Sequence, residues 1–299
     1  MRRFAALALL SITVIWGWTF VLVREALTFV GPLTFIAGRF ILAFFVLVLL
    51  FYRVIPEINR RSLLRGILIG LSLFGGYLFQ TWGLIYTTAT KSGLITGLYV
   101  IIVPLIAFFF LKERMRYAVW LGVGVALLGL VFLLLGTGGV EPPALNIGDL
   151  LTLICALFFA LHIILIDRFI KYDDYRKILL VQVSVVMVLS LLGAGTLETF
   201  PVYFPAQLIQ AFLITGLLAT ALAFYVLNRF QAYSTSTYTA IILTMEPVFA
   251  GLFGFLLLNE RLTVMQGIGG LFIILGMVIP RLIKRPNNDT KRHPLRKAS

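Results

Sequence analysis

Long apolar runs separated by short polar breaks dominate the chain from Phe4 to Ile283. A helix crosses a bilayer core with about 20 mostly apolar residues, and the runs match that length. The pattern therefore predicts an all-α integral membrane protein with ten transmembrane helices. The predicted spans cover residues 4–23, 33–52, 63–84, 90–111, 117–136, 147–166, 177–197, 207–227, 237–258 and 263–283.

Composition narrows the class of protein further. Hydrophobic residues make up 61% of the chain and charged residues 12%, whereas a soluble domain has about 25% charged residues. The net charge of +13 does not indicate a nucleic-acid partner, because the basic residues lie in short loops and form no basic stripe with interleaved aromatics. The first 20 residues resemble a signal peptide but lack a small-x-small cleavage site, so we expect a retained first span.

The basic residues also predict the orientation of the chain. Along the predicted path, most of the 25 lysines and arginines lie in loops on one side of the membrane. The opposite side carries only Arg24, Lys91 and Arg261, and Arg39 lies inside a span. Since cytoplasmic loops are enriched in Lys and Arg, both termini are predicted to be cytoplasmic, in a bacterial-type inner membrane. The basic tail is expected to lie on anionic lipid headgroups.

An internal repeat appears when the chain is shifted by 147 positions, and such repeats are common in transporters. It predicts a first five-helix repeat over 1–140, a second over 141–284 and a cytoplasmic tail over 285–299. Five spans are an odd number, so the second repeat is inverted relative to the first. The matched positions are Glu113-Arg114 with Glu260-Arg261, Gly122 with Gly269, Gly129 with Gly276, and Tyr86 with Tyr233.

Four stretches resemble the drug/metabolite transporter superfamily, and specifically its EamA-type ten-span members. They are Trp16-Gly17, GRFILAF around Arg39, GLIYTTATKSGLITGLYVIIVPLIAFFFLKERM from Gly83, and TAIILTMEPVFAGLFGFLLLNERLTVMQGIGGLFIILG from Thr239. The resemblance covers nearly the whole chain. It implies ten spans and export of amphipathic solutes such as amino acids, often linked to protons, but it does not identify the substrate.

One departure from symmetry concerns the two prolines of the paired signature. Pro247 stands 13 residues before Glu260, whereas Pro104 stands only 9 residues before Glu113. We therefore expect the break in the fourth span to lie about one helical turn closer to the cytoplasm than symmetry requires. Both prolines and both glutamates are assigned a structural or gating role.

Glu246 is the only carboxylate well inside a predicted span. A charged side chain at that depth costs about 2.5 to 3.5 kcal/mol on insertion scales, so a reason for its presence is needed. One interpretation is a group that binds and releases a proton as the site alternates between low and high dielectric. The other is a structural carboxylate held by Arg39 or by the hydroxyls of Thr239 and Thr244. Both stay open.

Further candidates for substrate binding or coupling are Arg39, Lys91, Trp16, Tyr77, Gln80 and Tyr99. The guanidinium of Arg39 is always charged, so it either has a structural role or binds a substrate carboxylate. Lys91 has no lysine at its repeat mate, Tyr238, and is either an asymmetric functional group or an interfacial anchor. The other four lie deeper in their spans than belt residues near span ends, and lining a cavity for an amphipathic solute is one interpretation that stays open for each of them.

These features predict a secondary active transporter for a small metabolite, most simply an exporter that works by alternating access. The alternatives are a channel or a lipid scramblase and, with less support, an intramembrane enzyme. No catalytic residues and no cofactor are predicted, and His162 and His293 are too isolated for a metal site. A homodimer stays open, since small-residue faces pack equally well within one chain or between two.

Overall fold

The computed structural model describes residues 2–87, 89–109, 112, 115–135, 146–199, 203–258 and 263–282. Within these ranges all regular structure is helical, which confirms the predicted all-α class. The helices are α1 (Arg2–Ala26), α2 (Pro32–Phe51), α3 (Arg60–Tyr86), α4 (Ala89–Thr96), α5 (Tyr99–Phe109), α6 (Tyr117–Leu135), α7 (Ile147–Phe169), α8 (Tyr175–Leu197), α9 (Ala206–Leu213), α10 (Ala223–Gln231), α11 (Ser236–Leu243), α12 (Met245–Leu258) and α13 (Val264–Leu282). A short 3₁₀ helix, Tyr52–Glu57, follows α2, and a π-helical segment, Ile214–Leu222, joins α9 to α10.

Eight helical segments in the described part of the chain are long and apolar enough to cross a membrane. Two shorter apolar helices, Tyr117–Phe132 and Gly267–Pro280, coincide with the predicted fifth and tenth spans. A multi-span membrane protein is therefore confirmed, whereas the number ten stays a prediction. The eight segments are Phe4–Ala26, Pro32–Glu57, Arg60–Tyr86, Ser92–Phe109, Ile147–Phe169, Tyr175–Leu197, Ala206–Gln231 and Ser236–Phe253.

Polar side chains fix where several of these helices begin. The Asn59 side chain accepts hydrogen bonds from two backbone N–H groups at the start of α3. Asn146 and Asp149 form a reciprocal capping box at the start of α7. At α2 the cap comes from a distant residue, because the Glu198 carboxylate accepts from the backbone N–H groups of Leu33 and Thr34. Such caps satisfy donors that a helix leaves unpaired, and the last one also ties α2 to the end of α8.

Small residues allow the helices around the centre to approach closely. An added Cβ at Gly76 on α3 would lie 2.5 Å from the ring of Phe159 on α7. On α6 and α13, an added Cβ at Gly122 would lie 2.7 Å from the Gly276 carbonyl oxygen, and one at Gly129 would lie 2.6 Å from that of Gly269. At Gly122 and Gly129 only glycine permits the approach, because a Cβ would collide with backbone, whereas at Gly76 the Phe159 ring would have to move.

Two spans are broken near their middle. The fourth is interrupted at residues 97–98, between α4 and α5, and the ninth at Thr244, between α11 and α12. Gly97 and Thr244 are 147 positions apart, so the expectation of a break displaced by one turn is wrong. Pro104 lies inside α5 without ending it. The break instead lies where the two helices meet, since a Cβ at Gly97 would lie 3.2 Å from Pro247 Cγ.

Candidate functional site

A cavity lies among the helices next to both breaks. It contains about 660 Å³ of space not filled by protein atoms, and α1, α2, α3, α4, α5, α7, α10, α11 and α12 contribute to its walls. The lining residues are Trp16, Thr19, Phe20, Val23, Arg39, Tyr77, Gln80, Thr81, Leu84, Thr96, Tyr99, Phe159, His162, Ile163, Phe224, Leu227, Leu243 and Glu246.

The structure brings together nearly all of the substrate-binding candidates. Those that line this one cavity are Trp16, Arg39, Tyr77, Gln80, Tyr99 and Glu246. Lys91 belongs to α4, but its side chain lies outside the described residues, as do Glu113 and Glu260 entirely. The roles assigned to these residues stay predictions.

Glu246 lies in the first turn of α12, directly after the break at Thr244. Its side chain is 9% exposed and faces the cavity, and no residue of the described ranges forms a hydrogen bond or an ion pair with its carboxyl group. The Thr244 hydroxyl instead donates to the Ile241 carbonyl, at 2.6 Å. The Thr239 hydroxyl is buried without a described partner. Neither the Thr239 nor the Thr244 hydroxyl therefore binds the Glu246 carboxyl group. The N-terminus of α12 favours a negative charge at this position.

Arg39 is held by neutral groups. Its side chain is 3% exposed, so it does not extend to the membrane surface as a snorkelling arginine would. Nε donates to Thr220 Oγ1 at 3.0 Å and Nη2 donates to the Tyr77 hydroxyl at 3.4 Å. The Tyr77 ring lies against the guanidinium, with Cζ 4.6 Å from the ring centroid. Hydrogen bonds and a cation–π contact therefore offset part of the cost of burying this cation.

The π-helical segment positions two of these cavity groups. The Thr220 hydroxyl donates to the Thr215 carbonyl, at 2.7 Å, while it accepts from Arg39. One residue earlier, the Ala219 carbonyl accepts from Trp16 Nε1 at 2.9 Å. A π-helical pattern leaves carbonyls free for such side-chain donors, and it is frequent at functional sites. The apolar sequence ITGLLATAL gave no signal of this irregularity.

Aromatic rings form the apolar wall of the cavity. The Tyr77 ring meets the Phe159 ring edge to face, with centroids 5.5 Å apart, and the Trp16 ring lies 5.8 Å from the Phe224 ring. Edge-to-face and tilted pairs are favourable and fix the orientation of each ring. These pairs therefore hold the rings of the apolar wall in defined orientations.

A second polar group of residues lies beside the break between α4 and α5. Gln80 Nε2 donates to Thr96 Oγ1 at 3.3 Å, and Thr96 Oγ1 lies 3.9 Å from Cys155 Sγ. The Tyr99 hydroxyl is buried and has no described hydrogen-bond partner. These groups offer hydrogen-bonding capacity to a solute in the cavity.

Several cavity residues were not assigned to the site from the sequence. His162 contacts Gln182 through Nε2 and Oε1, at 2.9 Å, and its ring packs edge-on against Phe224. The only feature of the sequence that could have indicated a site role for His162 is that it is a polar residue within an apolar run. Phe159 and Phe224 carried no such signal, because other phenylalanines of the apolar runs, such as Phe45, are exposed on the outside of the helices.

Comparison with known proteins gives a family over the whole chain. The EamA-like transporter family matches twice, at residues 3–135 and 146–280. The chain is 36% identical over 282 residues to an uncharacterized transporter of Archaeoglobus fulgidus, covering 94% of this chain and 87% of that protein. It is 28% identical to the uncharacterized transporter YoaV of Bacillus subtilis, covering 91% of this chain and 94% of that one.

A solved crystal structure shares the fold. It superposes with a TM-score of 0.77 at 20% identity and covers 94% of this chain and 98% of its own. The family and the names of the relatives point to a membrane transporter rather than an enzyme. The apolar helices and the bacterial and archaeal relatives agree with a multi-pass protein of a bacterial-type membrane. This chain belongs to the EamA-like transporter family of the drug/metabolite transporter superfamily.

Proposed function

We propose that this protein is a secondary active transporter that exports a small amphipathic metabolite, an amino acid or a related solute, in exchange for protons. The observation that carries the proposal is the cavity between the helices, lined by aromatic rings and by the carboxyl group of Glu246, which has no partner among the described residues. The rings suit the apolar part of such a solute. Glu246 suits its amino group or a proton.

The architecture behind this proposal has ten spans, with α6 and α13 as the fifth and tenth and both termini in the cytoplasm. Residues 1–140 and 141–284 would form two inverted repeats, and both contribute walls to the cavity. Two halves of similar fold and opposite orientation can exchange conformations, which opens a central site first to one side and then to the other. The paired breaks at 97–98 and Thr244 supply each half with a point of bending next to that site.

Exchange of protons for solute follows if a proton and the amino group of the solute compete for the Glu246 carboxylate. A negative charge at membrane depth is unfavourable, so Glu246 crosses with either a proton or a bound ammonium group. Protons that enter from outside would displace the solute there, and the solute would displace protons on the cytoplasmic side. The proton gradient then drives export.

Metabolite profiling tests this function directly. Medium and cytoplasm are compared for cells that produce the wild-type protein, Glu246→Gln or Glu25→Gln, at equal abundance in the membrane. Glu25→Gln is the matched control, because Glu25 is exposed at the end of α1 and outside the cavity. We expect a metabolite to accumulate outside with the wild type and the control, and not with Glu246→Gln.

The same solute in inverted membrane vesicles separates carriers from pores. A carrier gives a flux that saturates with solute concentration and that an imposed proton gradient accelerates. Flux that rises linearly with concentration would favour the channel or scramblase alternative. Export by Glu246→Gln at the wild-type rate at every pH would refute the proton-coupling role.

A further inference from the structure

The Arg39 guanidinium has hydrogen-bonding capacity that the described protein residues do not use. We propose that Arg39 is the subsite for a carboxylate group of the transported solute, an inference that rests on the proposed function because it takes the cavity to be where the solute binds. It narrows the substrate to solutes that carry a carboxylate.

The available donors have the right arrangement. A guanidinium has five N–H groups in a planar fork, and two are engaged here: Nε–H with Thr220 and one Nη2–H with Tyr77. Both hydrogens of Nη1 and one of Nη2 have no partner among the described residues. The Nη1–Nη2 edge is one that carboxylates bind through two parallel hydrogen bonds. Arg39 lines the cavity, and the proposal takes this edge to be the one that a solute meets there.

Charge points to the same conclusion. No carboxylate in the described part of the chain forms an ion pair with Arg39, although its side chain is almost completely buried. A buried cation without an anion is unfavourable, and the hydroxyls of Thr220 and Tyr77 carry only partial charges. Glu246 lines the same cavity but forms no ion pair with Arg39, so an anionic group of the solute would pair with the guanidinium directly.

A singly charged anionic group suits the Arg39 guanidinium better than a doubly charged one. One guanidinium balances one negative charge, and a phosphate dianion would leave an excess negative charge in a cavity that also contains Glu246. With the carboxylate on Arg39 and the solute's ammonium on Glu246, the loaded cavity is neutral. The solute class that suits the cavity is therefore a zwitterion with an apolar body rather than a simple amine without a carboxylate.

Thr220 is a positioning residue for this subsite. Its hydroxyl is oriented by donation to the Thr215 carbonyl within the π-helical segment, and it fixes Nε of Arg39. The Tyr77 ring covers one face of the guanidinium. Together they fix the plane of the fork, which determines the direction from which a carboxylate can approach.

The test uses the same profiling of full-length protein in cells, with Arg39→Gln, Arg39→Lys and Thr220→Val added. We expect every metabolite that the wild type exports to carry a carboxylate, and Arg39→Gln to reduce its export by about tenfold or more. Arg39→Lys keeps the charge but lacks the planar fork of donors, so it should retain only part of the wild-type export. Export of metabolites without a carboxylate, or undiminished export by Arg39→Gln, would overturn the inference while leaving the transporter function intact.

A second measurement does not depend on variants that fold poorly. The exported metabolite is compared with its own carboxamide as competitors for transport by the wild type, and the carboxamide should compete about tenfold more weakly. Thr220→Val should raise KM several-fold with little change in kcat, whereas Thr196→Val, on the exposed face of α8, should change neither. Equal competition by acid and amide would overturn the carboxylate subsite. If the wild type exports nothing, the proposed function fails, and this inference fails with it.

Discussion

At the scale of single residues, Gly17 allows α1 to approach α12 beside Glu246. A Cβ at this position would lie 2.7 Å from Phe249 Cβ and 2.9 Å from the Glu246 carbonyl oxygen. We expect Gly17→Ala to push α1 away from α12 and to lower the stability of the protein by about 1–3 kcal/mol. Transport should fall as well, because Trp16 and Glu246 on the two helices line the same cavity.

Thermal unfolding of the purified protein in detergent measures this effect. The control is Gly124→Ala, because no atom lies within 4 Å of an added Cβ there and alanine is the better helix former. A melting temperature for Gly17→Ala equal to that of Gly124→Ala would show that the contact between α1 and α12 is looser than the structure has it.

Three of the cavity residues predicted from the sequence share one physical property. Arg39, Gln80 and Glu246 are polar groups at membrane depth, and their cost in lipid makes them conspicuous in an apolar run. Phe159 carries no such cost, and Phe45, which is 64% exposed on α2, looks the same in the sequence. Which phenylalanines face the cavity depends on how the helices pack, and this required the structure.

At the scale of helices, Glu198 connects two elements that are far apart in sequence. Its carboxylate accepts from the Leu33 and Thr34 backbone N–H groups and from the Thr34 hydroxyl, at 2.7–2.9 Å. We expect Glu198→Gln to lower stability by about 1 kcal/mol, since an amide keeps one acceptor but loses the charge that the helix N-terminus favours. Thermal unfolding beside Glu25→Gln checks this, and equal melting temperatures would contradict it.

The broken spans show where reasoning from local sequence failed. A proline removes a backbone donor, so Pro104 was expected to set the break of its span. The break lies six or seven residues earlier, at 97–98, where the chain meets Pro247 of the other broken span. The break includes Gly97, a poor helix former that also lets the chain approach Pro247, and no property of residues 99–109 alone predicts it.

At the scale of the whole molecule, the glycine contacts between α6 and α13 follow the internal repeat. The shift of 147 positions matches Gly122 with Gly269 and Gly129 with Gly276. In the structure Gly122 meets Gly276 and Gly129 meets Gly269, the crossed pairing that a two-fold axis between the halves would produce. These glycines pack against each other within one chain, so a homodimer would have to form through other surfaces. The homodimer stays a prediction.

The path of the chain through the membrane can be tested with single cysteines. The native Cys155 is buried and should react little with a membrane-impermeant maleimide. Thr28, Tyr172 and Tyr203 lie in exposed connections between helices. The ten-span arrangement predicts that Thr28→Cys and Tyr203→Cys react from outside intact cells, and that Tyr172→Cys reacts only after the cells are permeabilised.

This labelling pattern separates ten crossings from eight, because α6 precedes the connections at Tyr172 and Tyr203. If α6 and α13 lay on the membrane without crossing it, α7 would enter from the opposite side. Tyr172→Cys would then react from outside and Tyr203→Cys would not, while Thr28→Cys would be unchanged. That outcome would also remove the inverted relation between the halves, since inversion requires an odd number of crossings in each. Alternating access at Glu246 and Arg39 would then need a different structural basis.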